Sequence, residues 1–269
     1  MAISKSIMQL EGSIANVSMY KMHGSEKVIV RAKGGPSKKQ IETKPQFEKL
    51  RQCSSEWAGC TQITSRIRKS FLTMNHLEDY PVNGALNAIC KEIQKLDTNN
   101  EPGQRAIRLS LHKNMISGFS FSNKQVLESV LRVPIETNLD RVSGEVRIEI
   151  PEVNADMHLY NFRNLPYYRI IASLSGVCDL FFPKEGKQYE SPYNGYCDPE
   201  HGIFESEWMP TPGIQPAKTI HLHYPLTENP IPDEVTLMLC LGIEFGKVGP
   251  GNIPCGVKYT GTGKIVKVG

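Results

Sequence analysis

The order of apolar and polar residues first predicts a β-hairpin near the N-terminus. Residues 7–33 alternate imperfectly and end in the β-branched run Val28-Ile29-Val30, with a turn-forming segment at His23–Glu26. The apolar positions of this hairpin are Val17, Met19, Tyr20, Val28, Ile29 and Val30. Because two isolated strands are only marginally stable, we expect these residues to pack on the body of the same chain or on a neighbouring subunit.

Two helices are predicted next, because apolar residues recur at steps of three and four. The first spans residues 44–73, with a start signal at Thr43, Pro45 and Gln46. Its apolar stripe consists of Phe47, Leu50, Cys53, Trp57, Cys60, Ile63 and Ile67. The second spans residues 82–97, and its stripe consists of Val82, Leu86, Ile89, Ile93 and Leu96. We expect the two stripes to face each other in a helical hairpin.

From about residue 104 onward the pattern favours short strands separated by Gly, Pro and Asn. The predicted strands are 105–111, 115–121, 126–135, 144–150, 166–175, 202–209, 217–224, 235–246 and 256–267. Such spacing is typical of an antiparallel β-sandwich, and the lack of alternating strands and helices argues against Rossmann and TIM-barrel folds. The predicted class is therefore α+β, mainly β. Three regions are predicted: a β-hairpin arm (1–36), a helical hairpin (37–103) and an antiparallel β-sandwich domain (104–269).

Charge is distributed unevenly along the chain, although the net charge is only +3. Residues 1–75 contain 13 Lys/Arg and 5 Asp/Glu, whereas the remainder contains 18 Lys/Arg and 23 Asp/Glu. A basic N-terminal region on an acidic body is compatible with nucleic-acid binding. It is equally compatible with docking of one subunit's arm on the body of the next.

Composition and segment lengths indicate the compartment in which we expect the protein to be made. The N-terminus lacks the long apolar core of a secretory signal, and no segment has the length of a membrane span. The seven cysteines are scattered, without a Cys-x-x-Cys pair, which predicts free thiols in a reducing compartment. We therefore expect cytoplasmic synthesis, with or without later release in a particle, and no membrane partner.

Two blocks of the sequence have distinctive motifs. The first begins at Tyr20 and continues through Val-Arg-x-Lys-Gly-Gly and Ser-Lys to Pro-x-Phe-x-x-x-Arg and Glu-Trp. Its motif positions are Tyr20, Val30, Arg31, Lys33, Gly34, Gly35, Ser37, Lys38, Pro45, Phe47, Arg51, Glu56 and Trp57. The second block, Leu139–Pro151, contains an Asp-Arg-x-Ser/Thr-Gly-Glu turn followed by a strand pattern. Both blocks resemble those of a family of uncharacterised proteins common in Bacteroidota genomes. The resemblance implies a Bacteroidota source and cytoplasmic synthesis, and it supplies no established activity.

The segment Gly34-Gly35-Pro36-Ser37-Lys38-Lys39 is the first candidate site. Its backbone and lysines could bind an anion, but the spacing of a phosphate-binding P-loop is absent and Pro36 lacks an N–H donor. We interpret Gly34, Gly35 and Pro36 as a hinge between the arm and the helices. The C-terminal Gly-rich segment 259–269 also lacks P-loop spacing, and we expect its glycines to bend or end a strand.

Three further groups of residues are candidate sites, although each could also be an ordinary part of the folded chain. His221 and His223 would share one face of a strand, as metal ligands can, and Glu205, Glu207 or Cys240 could supply a third ligand. Cys197 and His201 are close in sequence, as a reactive pair would require. Arg66, Arg68 and Lys69 form part of a basic helix face that could contact phosphates. The motifs of serine hydrolases and zinc proteases are absent.

These patterns predict a non-enzymatic structural protein without cofactor, metal or small-molecule ligand. We expect it to self-assemble, by exchange of its N-terminal hairpin, into a homo-oligomer, filament, tube or phage-like shell. The alternative is a basic-armed nucleic-acid-binding protein of a mobile element. The long loop 183–200, which contains three tyrosines, is a candidate interface or binding loop.

Overall fold

The computed structural model describes residues 2–4, 12–21, 28–32, 34–196, 202–225 and 230–269. Contacts divide the chain into two compact units, residues 1–51 and residues 52–269. The domain boundaries predicted after residues 36 and 103 remain predictions.

Antiparallel strands form the first unit. The strands are β1 (Ala2–Ser4), β2 (Gly12–Ile14), β3 (Val17–Lys21) and β4 (Val28–Ala32). They form one sheet in the order β1-β4-β3-β2. The predicted hairpin is confirmed as the β3–β4 pair, and β1 and β2 extend it on either side. The turn predicted at 23–26 lies outside the described residues.

The helices follow the sequence periodicity closely. They are α1 (Lys38–Thr43), α2 (Glu48–Ser70), α3 (Val82–Lys95), α4 (Leu127–Val130) and α5 (Ala155–His158). Single 3-10 turns occur at Pro45–Phe47, Leu72–Leu77, Lys113–Met115, Asn194–Tyr196 and Pro250–Asn252. The helical part begins earlier than predicted, because Ser37 caps α1 in a reciprocal capping box with Gln40. Lys44 is extended and separates α1 from the following turn.

The strands of the second unit pair exclusively antiparallel in its described part. They are β5 (Glu136–Asp140), β6 (Glu145–Ile150), β7 (Val153–Asn154), β8 (Tyr167–Cys178), β9 (Ile203–Glu205), β10 (Met209–Pro210), β11 (Ile214–Gln215), β12 (Lys218–His223), β13 (Val235–Val248), β14 (Pro254–Gly256) and β15 (Thr262–Val268). Together with the helices, they confirm the α+β, mainly β class.

One long strand pair organises the second unit. Strands β8 and β13 pair from Tyr167 opposite Gly246 to Cys178 opposite Val235. Strands β9 and β10 add to β8, and β14 and β15 add to β13, which gives a six-stranded central sheet. A separate three-stranded sheet has the order β12-β6-β5, and β7 pairs with β11.

Two hydrophobic clusters cover opposite faces of the central sheet. One contains Leu237, Leu239, Leu241, Ile243 and Phe245 of β13 together with buried residues of β6 and β12. The other contains Met238 and Cys240 of β13 together with the buried residues of α2 and α3. The unit is therefore three layers thick, with helices, central sheet and three-stranded sheet in that order. Burial on both faces explains why β8 and β13 are continuously apolar rather than alternating.

Three predicted strands were wrong. Residues 105–111 and 115–121 form only the isolated bridges Ile107–Leu180 and Ser120–Lys264, and 126–135 begins with helix α4. Ile107, Phe121 and Val130 of these segments are buried in the cores. Their burial explains the apolar pattern that suggested strands. A short apolar run does not by itself distinguish a strand from a packed loop.

The turn at 140–144 has a clear structural role. The Asp140 carboxylate accepts hydrogen bonds from the Val142 N–H and the Ser143 hydroxyl, both at 2.9 Å. Arg141 donates to the carbonyl oxygens of Val235 at 2.7 Å, Gly269 at 3.1 Å and Pro232 at 2.5 Å. The guanidinium thus joins the β5–β6 turn to the start of β13 and to the C-terminal residue.

Replacing Arg141 by alanine is expected to lower the free energy of unfolding by about 3 kcal/mol, because three carbonyl oxygens lose a charged donor. Arg147→Ala is the matched control, since Arg147 lies on adjacent β6 in an exposed pair with Glu149, and should change stability by less than about 0.5 kcal/mol. Urea unfolding of both variants measures the difference. Equal effects of the two substitutions would contradict the role assigned to Arg141.

Candidate functional site: the N-terminal arm

The strand register of the first unit collects apolar residues on one face of its sheet. Met19 lies opposite Val30, Val17 lies opposite Ile14 on β2, and Val28 alternates with Val30 on the same side. We call Ile14, Val17, Met19, Val28 and Val30 the arm face. Val28 is buried, Val17, Met19 and Val30 are half-buried, and Ile14 on edge strand β2 is 59% exposed. The arm face therefore grades from buried to exposed towards the sheet edge.

The opposite face of the same sheet has a different character. Tyr20 and Ile29 are paired across β3 and β4, and the Arg31 guanidinium lies 5.6 Å from the centre of the Tyr20 ring. A cation at this distance is attracted to the negative face of the ring. The six residues predicted for the arm thus divide between two faces: Val17, Met19, Val28 and Val30 on the arm face, and Tyr20 and Ile29 on the other.

The predicted hinge lies between β4 and α1. Gly35 has a φ of +108°, which side-chain-bearing residues rarely adopt, and no atom would contact a Cβ added there. Gly34 and Pro36 flank it and are exposed. The following residue, Ser37, accepts a hydrogen bond from the Gln40 N–H at 3.3 Å and donates its own N–H to the Gln40 side chain at 2.9 Å. The segment therefore turns the chain and starts a helix.

The basic face predicted on α2 is engaged in contacts within the second unit. Arg68 binds both carboxylate oxygens of Glu78 at 3.0 Å and donates to Asn83 at 3.2 Å. Arg66 donates to the Asn194 side chain at 2.8 Å. Lys69 lines the same polar cavity, of about 330 Å³, as Arg68 and Asn83. Arg66 and Arg68 thus attach α2 to other segments of the chain.

The histidine pair lies where the strand pattern placed it. His221 and His223 are exposed on β12, on the face opposite the buried Ile220 and Leu222. Cys240 is fully buried in the cluster beneath the helices. Within the described ranges, no group of three His, Cys, Asp or Glu side chains comes together in a metal-binding arrangement.

The prediction of seven free thiols was wrong for Cys178, which is disulfide-bonded. Cys53, Cys60, Cys90, Cys240 and Cys255 are free. Burial raises the pKa of Cys60 to about 11 and that of Cys90 to about 12, so these thiols remain protonated near neutral pH. The candidate pair Cys197 and His201 lies outside the described residues.

A buried carboxylate at one end of the central sheet was missed by the sequence reasoning. Glu244 on β13 is 4% exposed. Its two oxygens lie 2.9 Å from His76 Nε2 and 2.5 Å from Arg169 Nε. Arg169 also pairs with Glu205 and lies 4.9 Å from the Trp208 ring.

Glu244 remains charged despite its burial. Burial opposes ionisation, but the contacts with His76 and Arg169 outweigh it and lower the pKa of this carboxyl. The contacting residues come from β8, β9 and the 3-10 turn at Leu72–Leu77. No local sequence pattern could have indicated this network, because the residues of each contacting pair are 36 to 168 positions apart.

Comparison with known proteins gives no relative: no family model, curated protein or solved structure matches this chain. In the described part of the chain, no helix combines the length and apolar character needed to cross a membrane. The resemblance to a Bacteroidota family stays a prediction, and the proposed function depends on the geometry described above.

Glu244→Gln is expected to lower the free energy of unfolding near neutral pH by about 3 kcal/mol, because it breaks a buried ion pair. A carboxyl with a lowered pKa contributes stability above its ordinary value of 4.5 and loses it as the pH falls through the folded-state pKa. The difference between native protein and variant should therefore shrink in acid. Urea unfolding across a pH series measures it.

Glu149→Gln is the control for this pH series, since Glu149 lies on β6 with nearly half of its side chain exposed. Its effect should be small at every pH. A pH-independent difference for Glu244→Gln would mean that Glu244 is not ionised in the folded protein.

Proposed function

We propose that this chain is a non-enzymatic structural protein that self-associates through its N-terminal arm into a homo-oligomer, filament, tube or phage-like shell. The observation that carries the proposal is the arm face, which presents the exposed Ile14 on edge strand β2 beside half-buried apolar residues. A partner surface covering this face would remove apolar area from water, at about 25 cal/mol per Å².

The first unit has little core of its own, which supports a role in association. In its described part only Val28 and Ile29 are buried, and α1 buries no residue. Neither of these two residues belongs to the large clusters of the second unit. A small sheet with so little buried surface needs additional packing for stability.

The edge of the arm sheet offers a second means of association. Among the described strands, β2 ends the order β1-β4-β3-β2 and pairs only with β3. An unpaired strand edge presents N–H and carbonyl groups that can add to a neighbouring sheet. Main-chain pairing would supply affinity, and the arm face would supply specificity.

Charge also favours association between the arm of one copy and the body of another. Residues 1–51 contain 10 Lys/Arg and 4 Asp/Glu, whereas residues 52–269 contain 21 Lys/Arg and 24 Asp/Glu. Opposite charges accelerate encounter and orient the partners. Because arm and body are different surfaces, contacts between them are head-to-tail, and such contacts generate rings or open filaments.

Ile14→Lys is expected to shift the assembled protein towards the 30.1 kDa monomer, because a charge on the arm face opposes its burial. Ile253→Lys is the control, since Ile253 is similarly exposed at 68% but lies in the second unit. Light scattering after size-exclusion chromatography measures the mass of each variant. Circular dichroism establishes that both variants are folded.

Deletion of residues 1–33 tests the same proposal more severely and should abolish assembly. The proposal fails if the full-length chain is already a monomer at tens of micromolar. It also fails if Ile14→Lys and Ile253→Lys have the same mass distribution as the unmodified chain.

The nucleic-acid alternative depends on Arg66, Arg68 and Lys69. The contacts of Arg68 with Glu78 and of Arg66 with Asn194 weigh against it, because each arginine would have to leave a protein partner to bind phosphate. The basic charge of the first unit is the feature that favours it. Binding of this kind would weaken steeply as salt concentration rises.

Arg68→Ala is expected to lower the free energy of unfolding by about 2 kcal/mol, because it leaves the mostly buried Glu78 carboxylate without its partner. Lys69→Ala should change stability by less than about 0.5 kcal/mol. For both variants, urea unfolding measures the stability and gel mobility shifts measure the binding of DNA. Salt-sensitive DNA binding that both substitutions weaken equally would favour the alternative function.

A further inference from the structure

A cavity of about 450 Å³ lies between the central sheet and the three-stranded sheet of the second unit. Apolar side chains from both sheets and from β7 line it, among them Ile150, Val153, Ile170, Phe204, Met209 and Ile220. The cavity opens to solvent, since Glu207, Ala217 and Lys218 of its lining are exposed. Its volume falls within the range of small-molecule pockets, about 300–1,000 Å³.

Tyr168 of β8 differs from the other polar residues of the lining because its hydroxyl is both buried and unpaired. Its side chain is fully buried at the wall of the cavity, and its hydroxyl has no hydrogen-bond partner in the described part of the protein. The buried Ser206, by contrast, accepts from the Ile170 N–H and donates to the Glu207 carbonyl oxygen. Burial raises the pKa of Tyr168 to about 12, so the hydroxyl stays protonated and can donate. Because buried hydroxyl groups are nearly always hydrogen-bonded, an unpaired one on a residue that lines a cavity indicates a site for an acceptor.

The charged residues around the cavity balance one another. Lys218 lies 4.8 Å from the centre of the Phe204 ring, and Glu205 is paired with Arg169. Glu207 also lines the cavity, and Arg169 is shared with Glu244. Because charges of both signs surround the cavity, no field of a single sign selects an anionic or a cationic ligand.

We propose that this cavity binds an uncharged, largely apolar small molecule that carries a carbonyl or similar acceptor for the Tyr168 hydroxyl. The apolar walls supply affinity, and the unpaired Tyr168 donor fixes the orientation of the ligand. This ligand site is independent of the proposed assembly, and it departs from the expectation of no small-molecule partner.

Prodan, an uncharged naphthalene ketone whose emission shifts in apolar surroundings, is a suitable probe for the full-length protein. Its analogue without the ketone, dimethylaminonaphthalene, is the matched control ligand. We expect saturable, blue-shifted binding of Prodan. Tyr168→Phe should weaken Prodan binding about tenfold, the effect of losing one buried hydrogen bond, and leave the ketone-free analogue unchanged.

Ala217→Trp separates this cavity from other apolar surfaces. Ala217 lines the cavity from an exposed position, so a large side chain there should obstruct the cavity without disturbing the core. Binding of both probes should be lost. Binding that survives this substitution, or Prodan that fails to bind saturably, would overturn the proposal.

The Tyr168→Phe variant also distinguishes a ligand donor from a structural hydroxyl. Without ligand its melting temperature should equal or exceed that of the unmodified protein, because the lost hydroxyl has no partner. A clearly lower melting temperature would mean that the hydroxyl already serves the fold. Equal weakening of both probes would mean that the ring packs the cavity without donating to the ligand. Either result would overturn the assigned role.

Discussion

The pairing of β8 with β13 is the constraint on which the second unit depends. The pair is uninterrupted from Tyr167 opposite Gly246 to Cys178 opposite Val235, and both strands are buried on both faces over most of their length. A sheet that is apolar on both faces must be covered on both sides. The helices α2 and α3 cover one face, and the sheet β12-β6-β5 covers the other. The three layers therefore follow from two continuously apolar sequence segments.

Periodicity correctly predicted the elements that are buried on one face and exposed on the other. Strand β6 alternates strictly between buried Val146, Ile148 and Ile150 and more exposed neighbours, and the buried half of α2 repeats at helical spacing. Periodicity failed where apolar residues pack in loops: Tyr189 and Tyr196, in the segment expected to be an interface, are buried in the two cores. It also gave no indication that Leu50 and Trp57 of the α2 stripe would be about half exposed.

The candidate sites could also be predicted only in part, because their contacts depend on how the chain folds. The arm residues could be found because strand alternation is local, but their division between two faces depends on the β3–β4 register. The partners of Glu244 and Arg141 lie far away in sequence, and directional contacts of this kind appear only once the chain is folded. Apolar burial is not directional, whereas satisfied polar contacts of this kind specify one relative position of the layers. The turn at Asp140 and Arg141 belongs to the second sequence block. Its structural role is to hold the β5–β6 turn against the start of β13 through Arg141.

Strand length explains why an inter-sheet cavity exists at all. Strands β6 and β12 have six residues each, whereas β8 has 12 and β13 has 14. At about 3.3 Å per residue, the shorter sheet spans roughly half of the strands it covers. The short strands β7 and β11 and the neighbouring loops must cover the remainder. Loops fill space less completely than a second sheet, and the cavity beside Tyr168 lies where these short segments meet both sheets.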